Sequence, residues 1–137
     1  MKIEDRAWQV FARYIKLRDS NQYGYGKCID TGRPIFYKRE NGKWVGNMDS
    51  GHYITREVKS IMFDERNVHA QYYFTNRMQI MTNYRENLII KIGEEDVLWL
   101  EQQKNNGGKG DDWSVDYDKI IDEYSEKIEI LLKNKMF

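Results

Sequence analysis

The sequence is poor in several residue types, and each scarcity excludes a class of protein. A single cysteine among 137 residues excludes an internal disulfide and is typical of a reducing cytoplasm. With one proline and no run near the roughly 20 apolar residues of a membrane span, we expect a soluble, globular, cytoplasmic protein without a membrane partner. The N-terminal residues are acidic and amphipathic and do not have the character of a secretory signal.

Charge is plentiful instead, with 22 Lys and Arg against 22 Asp and Glu. Residues 1–91 have a net charge of +6, and residues 92–137 have a net charge of −6. The basic part favours a polyanionic partner, and the acidic part favours water or a basic partner. A helical tail that uses its acids only as a solvated face explains the same numbers, so both interpretations stay open.

Apolar residues at three- and four-residue spacing predict helices at both ends of the chain. The predicted helices span residues 3–19, 77–92, 94–103 and 115–133, and residues 104–110 are predicted to be a flexible linker. Gly93 is placed to cap the second helix. The final helix either folds back onto the rest of the chain or pairs with a second copy.

Strand and turn signals lie between the first and second helices. Residues 34–39 and 43–46 predict a hairpin around Asn41-Gly42, because both of these residues accept positive φ. Residues 28–32 predict a tight turn. Short strands flanked by helices predict an α+β fold, with a small core wrapped by N- and C-terminal helices.

Residues 48–83 hold both histidines of the chain, at positions 52 and 69. Two short strands, residues 51–55 and 67–70, and a helix from about residue 72 are expected here. They bring together polar side chains of the kind that metal-dependent phosphodiester cleavage requires, namely Asp49, His52, Asn67 and Asn76.

A longer pattern surrounds this set, namely Gly51-His52-Tyr53, Arg56, the run FDERNVHAQ from Phe63 to Gln71, and Tyr84. With this pattern the segment resembles an HNH nuclease motif and, more narrowly, the NinG (Rap) family of phage recombination proteins, whose layout nearly the whole chain follows. The resemblance implies a single domain with an N-terminal helix (1–20), a ββα-metal core (21–92) and a helical, acidic tail (93–137).

The resemblance also assigns roles. His52 is the general base, because a largely neutral imidazole accepts a proton near pH 7. Asn67 completes the catalytic site by bracing the loop and orienting the histidine, and Asn76 binds the metal through its amide oxygen. Many HNH enzymes have a metal-binding acid directly before the histidine, where this chain has Gly51. Asp49 shares a strand face with position 51 and is our candidate carboxylate, and such oxygen ligands predict Mg²⁺ or Mn²⁺.

Each of these residues also has an ordinary explanation. A histidine on a strand is commonly a surface or hydrogen-bonded residue, and asparagines at the starts of strands and helices are commonly caps. The FDERNVHAQ match favours catalysis for His52. His69 stays open between packing, DNA contact and chemistry.

Basic and aromatic residues flank the motif. Arg56, Lys59, Arg66 and Arg77 are expected to bind phosphates of DNA, which supply most of the sequence-independent affinity. Aromatic side chains nearby either stack on unpaired bases or pack in the core, and they are Tyr53, Tyr72, Tyr73 and Phe74.

The chain departs from the family at its zinc site. NinG-like proteins bind one structural zinc with two Cys-x-x-Cys pairs, whose positions here hold Cys28 and Thr31, then Tyr72 and Thr75. Because a closed zinc site needs four ligands, we expect no structural zinc. Packing of residues 72–74 around Cys28 is the expected replacement.

The function expected by resemblance is that of a phage- or prophage-encoded, metal-dependent endonuclease acting on branched DNA such as Holliday junctions or D-loops. A homodimer suits such two-fold substrates. Two alternatives stay open. One is a catalytically silent, DNA-binding recombination accessory protein, and the other is a protein-interaction module built on the acidic tail.

Overall fold

The structure is a computed structural model that describes residues 1–106 and 114–137. Within these residues the chain is a mixed α+β fold, as predicted, with antiparallel sheets and five helices. The helices are α1 (Ile3–Arg18), α2 (Tyr73–Arg77), α3 (Tyr84–Ile92), α4 (Glu94–Asn106) and α5 (Tyr117–Leu132). The strands are β1 (Tyr25–Lys27), β2 (Pro34–Glu40), β3 (Lys43–Gly46), β4 (Met48–His52) and β5 (Val68–Tyr72). None of the helices in these described ranges has the length and apolarity of a transmembrane segment.

The sheet β1–β2–β3 contains the predicted hairpin. Glu40 of β2 pairs with Lys43 of β3, and the two residues between them have positive φ, 51° at Asn41 and 76° at Gly42. This turn geometry matches the twist of the flanking strands, and the predicted hairpin is confirmed. The predicted turn over residues 28–32 is confirmed as well, with Gly32 N donating to the Cys28 carbonyl at 2.8 Å.

The second sheet, β4 paired antiparallel with β5, is shifted relative to the prediction. Strands predicted over residues 51–55 and 67–70 instead end at His52 and begin at Val68. The cause is the side chain of Asn67, whose Oδ1 accepts from Ile54 N at 2.8 Å and whose Nδ2 donates to Ile54 O at 3.0 Å. The Asn67 side chain thus occupies the N–H and C=O groups of Ile54, which a longer β4–β5 pairing would use for hydrogen bonds between the strands.

The helix after β5 is much shorter than predicted, because α2 ends at Arg77. The predicted helix over residues 77–92 is therefore wrong in its first part. Gln79 has a positive φ of 55°, and Ile80 N turns back to donate to Thr75 O at 2.9 Å. This closed turn separates α2 from α3.

The ends of α3 and α4 test two further predictions. Gly93, with a φ of 95°, donates its N–H to Ile89 O at 2.8 Å, so the predicted cap is confirmed. The linker predicted over residues 104–110 is wrong at its start, because α4 continues to Asn106. Residues 107–110 lie outside the described part of the chain.

α1 spans nearly the predicted residues and lies against both β4 and α5. Ser50 Oγ donates to the Ala12 carbonyl at 2.6 Å, which fixes the helix to β4. On another side of the helix, Phe11 meets Tyr124 of α5 edge to face, with ring centroids 4.7 Å apart. The final helix therefore folds back onto α1, and α1 in turn packs against the β4–β5 sheet.

Candidate active site

His52 is the last residue of β4, and its ring is fixed from two directions. It stacks on Trp8 of α1 with centroids 4.7 Å apart, and its Nε2 donates to the Met62 carbonyl at 3.0 Å. Burial lowers the pKa of His52 to about 4, so the ring is neutral near pH 7. Because Nε2 holds the proton, Nδ1 is the basic nitrogen, and it has no hydrogen-bond partner among the described residues.

Asn67 is fully buried and holds the loop that supplies the Met62 carbonyl. Its amide bonds both backbone groups of Ile54, and its Nδ2 also donates to the Ile61 carbonyl at 3.3 Å. Ile61 directly precedes Met62. One asparagine thus links the start of β5 to the 3-10 turn Lys59–Ile61, which directly precedes the Met62 carbonyl that His52 contacts.

Asp49 and Asn76 lie side by side, although 27 residues separate them in sequence. Asn76 Nδ2 donates to Asp49 Oδ2 at 3.0 Å. Arg77 reaches the same carboxylate, with Nε 3.3 Å from Oδ2 and Nη2 3.4 Å from Oδ1. Lys16 adds a further positive charge nearby. Burial lowers the pKa of Lys16, and the Asp49 carboxylate partly opposes this effect.

Two adjoining cavities flank this pair. His52 lines the larger one, of about 550 Å³, and Asp49 lines the smaller one, of about 330 Å³. Both cavities are lined by Trp8, Ser50 and Asn76. The predicted base and the predicted acid therefore line two adjoining cavities that share Asn76.

No group of three or more His, Cys, Asp or Glu side chains lies together in the described ranges in a way that could hold a metal ion. A carboxylate with amide oxygens is a different donor set, and Asp49 with Asn76 supplies it. Such hard oxygen donors match Mg²⁺ or Mn²⁺ rather than zinc.

The four predicted phosphate-binding residues fall into two groups. Arg56 lines the larger cavity, 5.2 Å above the Trp8 ring, and Arg77 pairs with Asp49. The other two are held by acids, and two of these acids, Glu4 and Asp96, are distant in sequence. Lys59 pairs with Glu4 at 2.5 Å, and Arg66 pairs with Asp64 at 2.8 Å and with Asp96 at 3.3 Å.

His69 is buried away from this cavity, with 1% of its surface exposed. Its Nε2 donates to the Arg66 carbonyl at 2.7 Å. Its Nδ1 accepts from Lys91 at 2.8 Å and from Arg18 at 3.2 Å. Burial, with the positive charge of Lys91, lowers the pKa of His69 to about 4. These contacts tie β5 to α1 and α3.

The positions of the zinc-binding pairs converge around Cys28, which is buried. Tyr72 N donates to its Sγ at 3.2 Å, and Thr75 Oγ1 lies 3.9 Å from it. The predicted aromatic packing holds only for Tyr72. Tyr73 and Phe74 are 37% and 51% exposed, so their predicted place around Cys28 is wrong, because both turn outward in the first turn of α2.

Several residues at the site escape sequence reasoning. Trp8 follows from its position on an apolar helix face, but the sequence does not show that it stacks on His52. Gln71 lies directly opposite Asp49 across the two strands, a relation that only the register reveals. Arg13 and Lys16 line the smaller cavity, although the sequence favoured a solvated helix face over phosphate contact for them.

Comparisons with known proteins agree with the resemblance in the sequence. The model of one family, described as Bacteriophage Lambda NinG protein, matches residues 1–134. A protein ninG of Enterobacteria phage H19B is 29% identical over 119 residues, 85% of this chain and 51% of its own length. A protein ninG of Escherichia phage 933W is 28% identical over 134 residues, 95% of this chain and 58% of its own length.

The chain therefore spans a little over half the length of these curated relatives. No solved structure matches it. Because the family model covers the chain from its first helix to its last, the chain belongs to the NinG family.

Proposed function

We propose that the chain is a metal-dependent DNA endonuclease of the HNH type, with β4, β5 and α2 as its ββα-metal element. The observation that carries the proposal is His52, a neutral histidine whose Nδ1 has no partner among the described residues and which lines a cavity together with Asn76. A general base must be neutral, accessible and close to the groups that bind the phosphate.

In this mechanism Nδ1 of His52 accepts a proton from the attacking water. The resulting imidazolium keeps its Nε2–H bond to the Met62 carbonyl, and Trp8 keeps the ring in plane. A pKa of about 4 makes a weak base, and the negative charge of a phosphodiester next to the ring raises it. DNA binding thus strengthens the base that burial has kept neutral.

The donor set at Asp49 fits a divalent cation. Mg²⁺ in proteins is commonly held by one or two carboxylates, with waters and substrate phosphates in its other positions. Asn76 presents Nδ2 to Asp49 and turns Oδ1 toward Gly51, where this oxygen is available to a cation held by the carboxylate. The cation, when bound, neutralises charge on the phosphate and on the leaving oxygen.

For DNA binding we propose the basic residues that line the two cavities. Arg56 has no ion pair among the described residues, and Arg13 and Lys16 line the smaller cavity. Lys59 and Arg66 remain candidates only where DNA displaces their acid partners. The branched substrates that the resemblance implies extend this proposal from phosphate binding to Holliday junctions and D-loops.

We also propose that the fold holds its former zinc positions together without zinc. The Tyr72 N–H and the Thr75 hydroxyl, both close to Cys28 Sγ, replace metal–thiolate bonds with hydrogen bonds in a buried setting. Elemental analysis of purified protein is then expected to find no stoichiometric zinc. One zinc per chain would contradict this part.

A second candidate function is that of a silent, DNA-binding recombination accessory protein. The observation that favours it is at Asp49, where Asn76 and Arg77 already donate hydrogen bonds to both carboxylate oxygens. A carboxylate engaged in this way competes with metal binding. A homodimer is proposed for either function because branched DNA has two-fold symmetry. Ultracentrifugation that shows a monomer at high concentration contradicts the dimer.

The test compares cleavage of a labelled four-way junction with cleavage of a matched linear duplex. Wild-type protein and His52→Ala are each incubated with Mg²⁺, with Mn²⁺ and with a chelator. We expect metal-dependent cutting of the junction by the wild type alone, with equal junction binding by both proteins. Equal binding without cutting in either metal establishes the accessory function instead. If neither protein binds DNA even at low salt, the remaining candidate is the protein-interaction module built on the acidic tail.

A further inference from the structure

Gly51 stands where a side chain has no room. A Cβ at this position would collide with Oε1 of Gln71 and would lie 3.0 Å from Oδ1 of Asn76. The backbone here is fixed as well, because the Tyr84 hydroxyl donates to the Gly51 carbonyl at 2.6 Å. Two carboxamide oxygens therefore converge on one point beside β4.

The amide of Gln71 has a defined orientation. Its Nε2 donates to the Ile80 carbonyl at 3.2 Å, which directs Oε1 toward Gly51. Gln71 is only 2% exposed, yet it lines the larger cavity, and its Oε1 has no donor among the described residues. Oε1 is not one of the fully buried atoms that lack a partner among the described residues, so it opens to the cavity as an acceptor available to a donor or a cation.

The strand register places this acceptor next to the proposed metal site. Gln71 is directly opposite Asp49 in the β4–β5 pair, and paired residues have their Cβ atoms about 5 Å apart. Asn76 contacts Asp49 from α2. The carboxylate of Asp49 and the carboxamides of Gln71 and Asn76 thus lie on the same side of the strand pair.

We propose that Oε1 of Gln71 is a third protein ligand of the divalent cation, in addition to Asp49 and Asn76. The inference rests on the metal site of the proposed function and adds a residue to it. Three oxygens, one each from β4, β5 and α2, then hold the cation. Position 51 is a glycine because the two amide oxygens occupy the space that a side chain would need. Water and substrate phosphate complete the shell.

Mn²⁺ binding to the full chain, measured by calorimetry and by the loss of the free-ion electron paramagnetic resonance signal, tests the proposal without an activity assay. Gln71→Met removes both amide atoms at similar length. Gln71→Glu keeps the oxygen and loses the donor to Ile80. Gln79→Met is the matched control, since Gln79 lines the same cavity but is exposed.

We expect Gln71→Met to raise the Kd for Mn²⁺ about tenfold or more, which is the effect of losing a group that supports a metal site. Gln71→Glu is expected to bind Mn²⁺ at least as tightly as the wild type, and Gln79→Met to match the wild type. A merely structural Gln71, which only holds Ile80, predicts instead that Glu and Met weaken binding equally.

Two outcomes overturn the proposal, and they differ in what else falls. In the first, Asp49→Asn weakens Mn²⁺ binding, but Gln71→Met does not, or Gln71→Met and Gln71→Glu weaken it equally. The metal site then stands, and Gln71 is not a ligand. If the wild type binds no Mn²⁺, the metal site of the proposed function fails together with this inference. Circular dichroism of each variant confirms that the compared proteins are folded.

Discussion

The two histidines of the chain are alike in most respects and differ in one. Both have an Nε2 that donates to a backbone carbonyl, Met62 for His52 and Arg66 for His69. Burial lowers the pKa of each to about 4. Both rings are therefore neutral near pH 7, with the proton on the same nitrogen.

The difference is at Nδ1. In His69 this nitrogen accepts from Lys91 and Arg18, and in His52 it has no partner among the described residues. A buried neutral histidine is therefore not by itself a base. The availability of its second nitrogen, at a cavity with a carboxylate nearby, separates a catalytic candidate from a structural residue.

The largest expected effect is on cleavage. His52→Gln should lower the single-turnover rate of junction cleavage by at least about a hundredfold, because a general base contributes roughly 10²–10⁴. His69→Gln should retain the rate per folded molecule within about threefold, a difference too small for a lost base. Junction affinity, measured in parallel, should be unchanged in both. Equal losses of rate would remove the distinction between the two residues.

Stability should show the reverse order. His69→Ala takes an acceptor from two partly buried cations and is expected to lower the free energy of unfolding by about 2–3 kcal/mol. His52→Ala loses mainly the stack on Trp8, about 1 kcal/mol. Urea denaturation without metal measures both. A greater loss in His52→Ala would mean that the ring at position 52 is the structural one.

Acidification sharpens the comparison further. The pKa of His52 is about 4 in the folded chain and about 6.5 when unfolded, so protonation favours the unfolded state and stability falls as pH drops from 7 toward 4. Between pH 7 and pH 5 the metal-free wild type should lose about 2 kcal/mol more than His52→Phe. Urea midpoints across this range check it, and identical slopes would contradict the burial of His52.

The smallest effect is expected from Trp8→Leu. This change removes the surface on which His52 stacks but leaves the Nε2 bond to Met62 intact. A looser ring should lower kcat about threefold with KM unchanged, since positioning contributes to the barrier. The same substitution should not affect His69. Steady-state kinetics on the junction measure this, and a change confined to KM would place Trp8 in substrate binding.

The sequence predicted which segments carry the candidate site residues better than it predicted where those segments begin and end. Asp49, His52, Asn67 and Asn76 occur in the right order on segments with strand and helix patterns, and the structure places each within or beside β4, β5 or α2. The strand ends were wrong because the Asn67 side chain replaces ladder bonds. The spacing of apolar residues does not indicate where a side chain will take over backbone hydrogen bonds in this way.

Pairings between distant residues account for most of what the sequence did not predict. The acids that hold Lys59 and Arg66 include Glu4 and Asp96, which are 55 and 30 residues away. Gln71 meets Asp49 only through the register of two strands. Local pattern gives an element and its faces, but it does not give the partner that each side chain meets after folding.

The most direct test of the account is chemical rescue of His52→Ala. Removing the imidazole leaves a space between Trp8 and the Met62 carbonyl that free imidazole can enter. We predict that His52→Ala binds the four-way junction, hardly cuts it with Mn²⁺, and regains part of the rate with added imidazole, whereas His69→Ala does not respond. Cleavage by His52→Ala at the wild-type rate without imidazole would contradict the account.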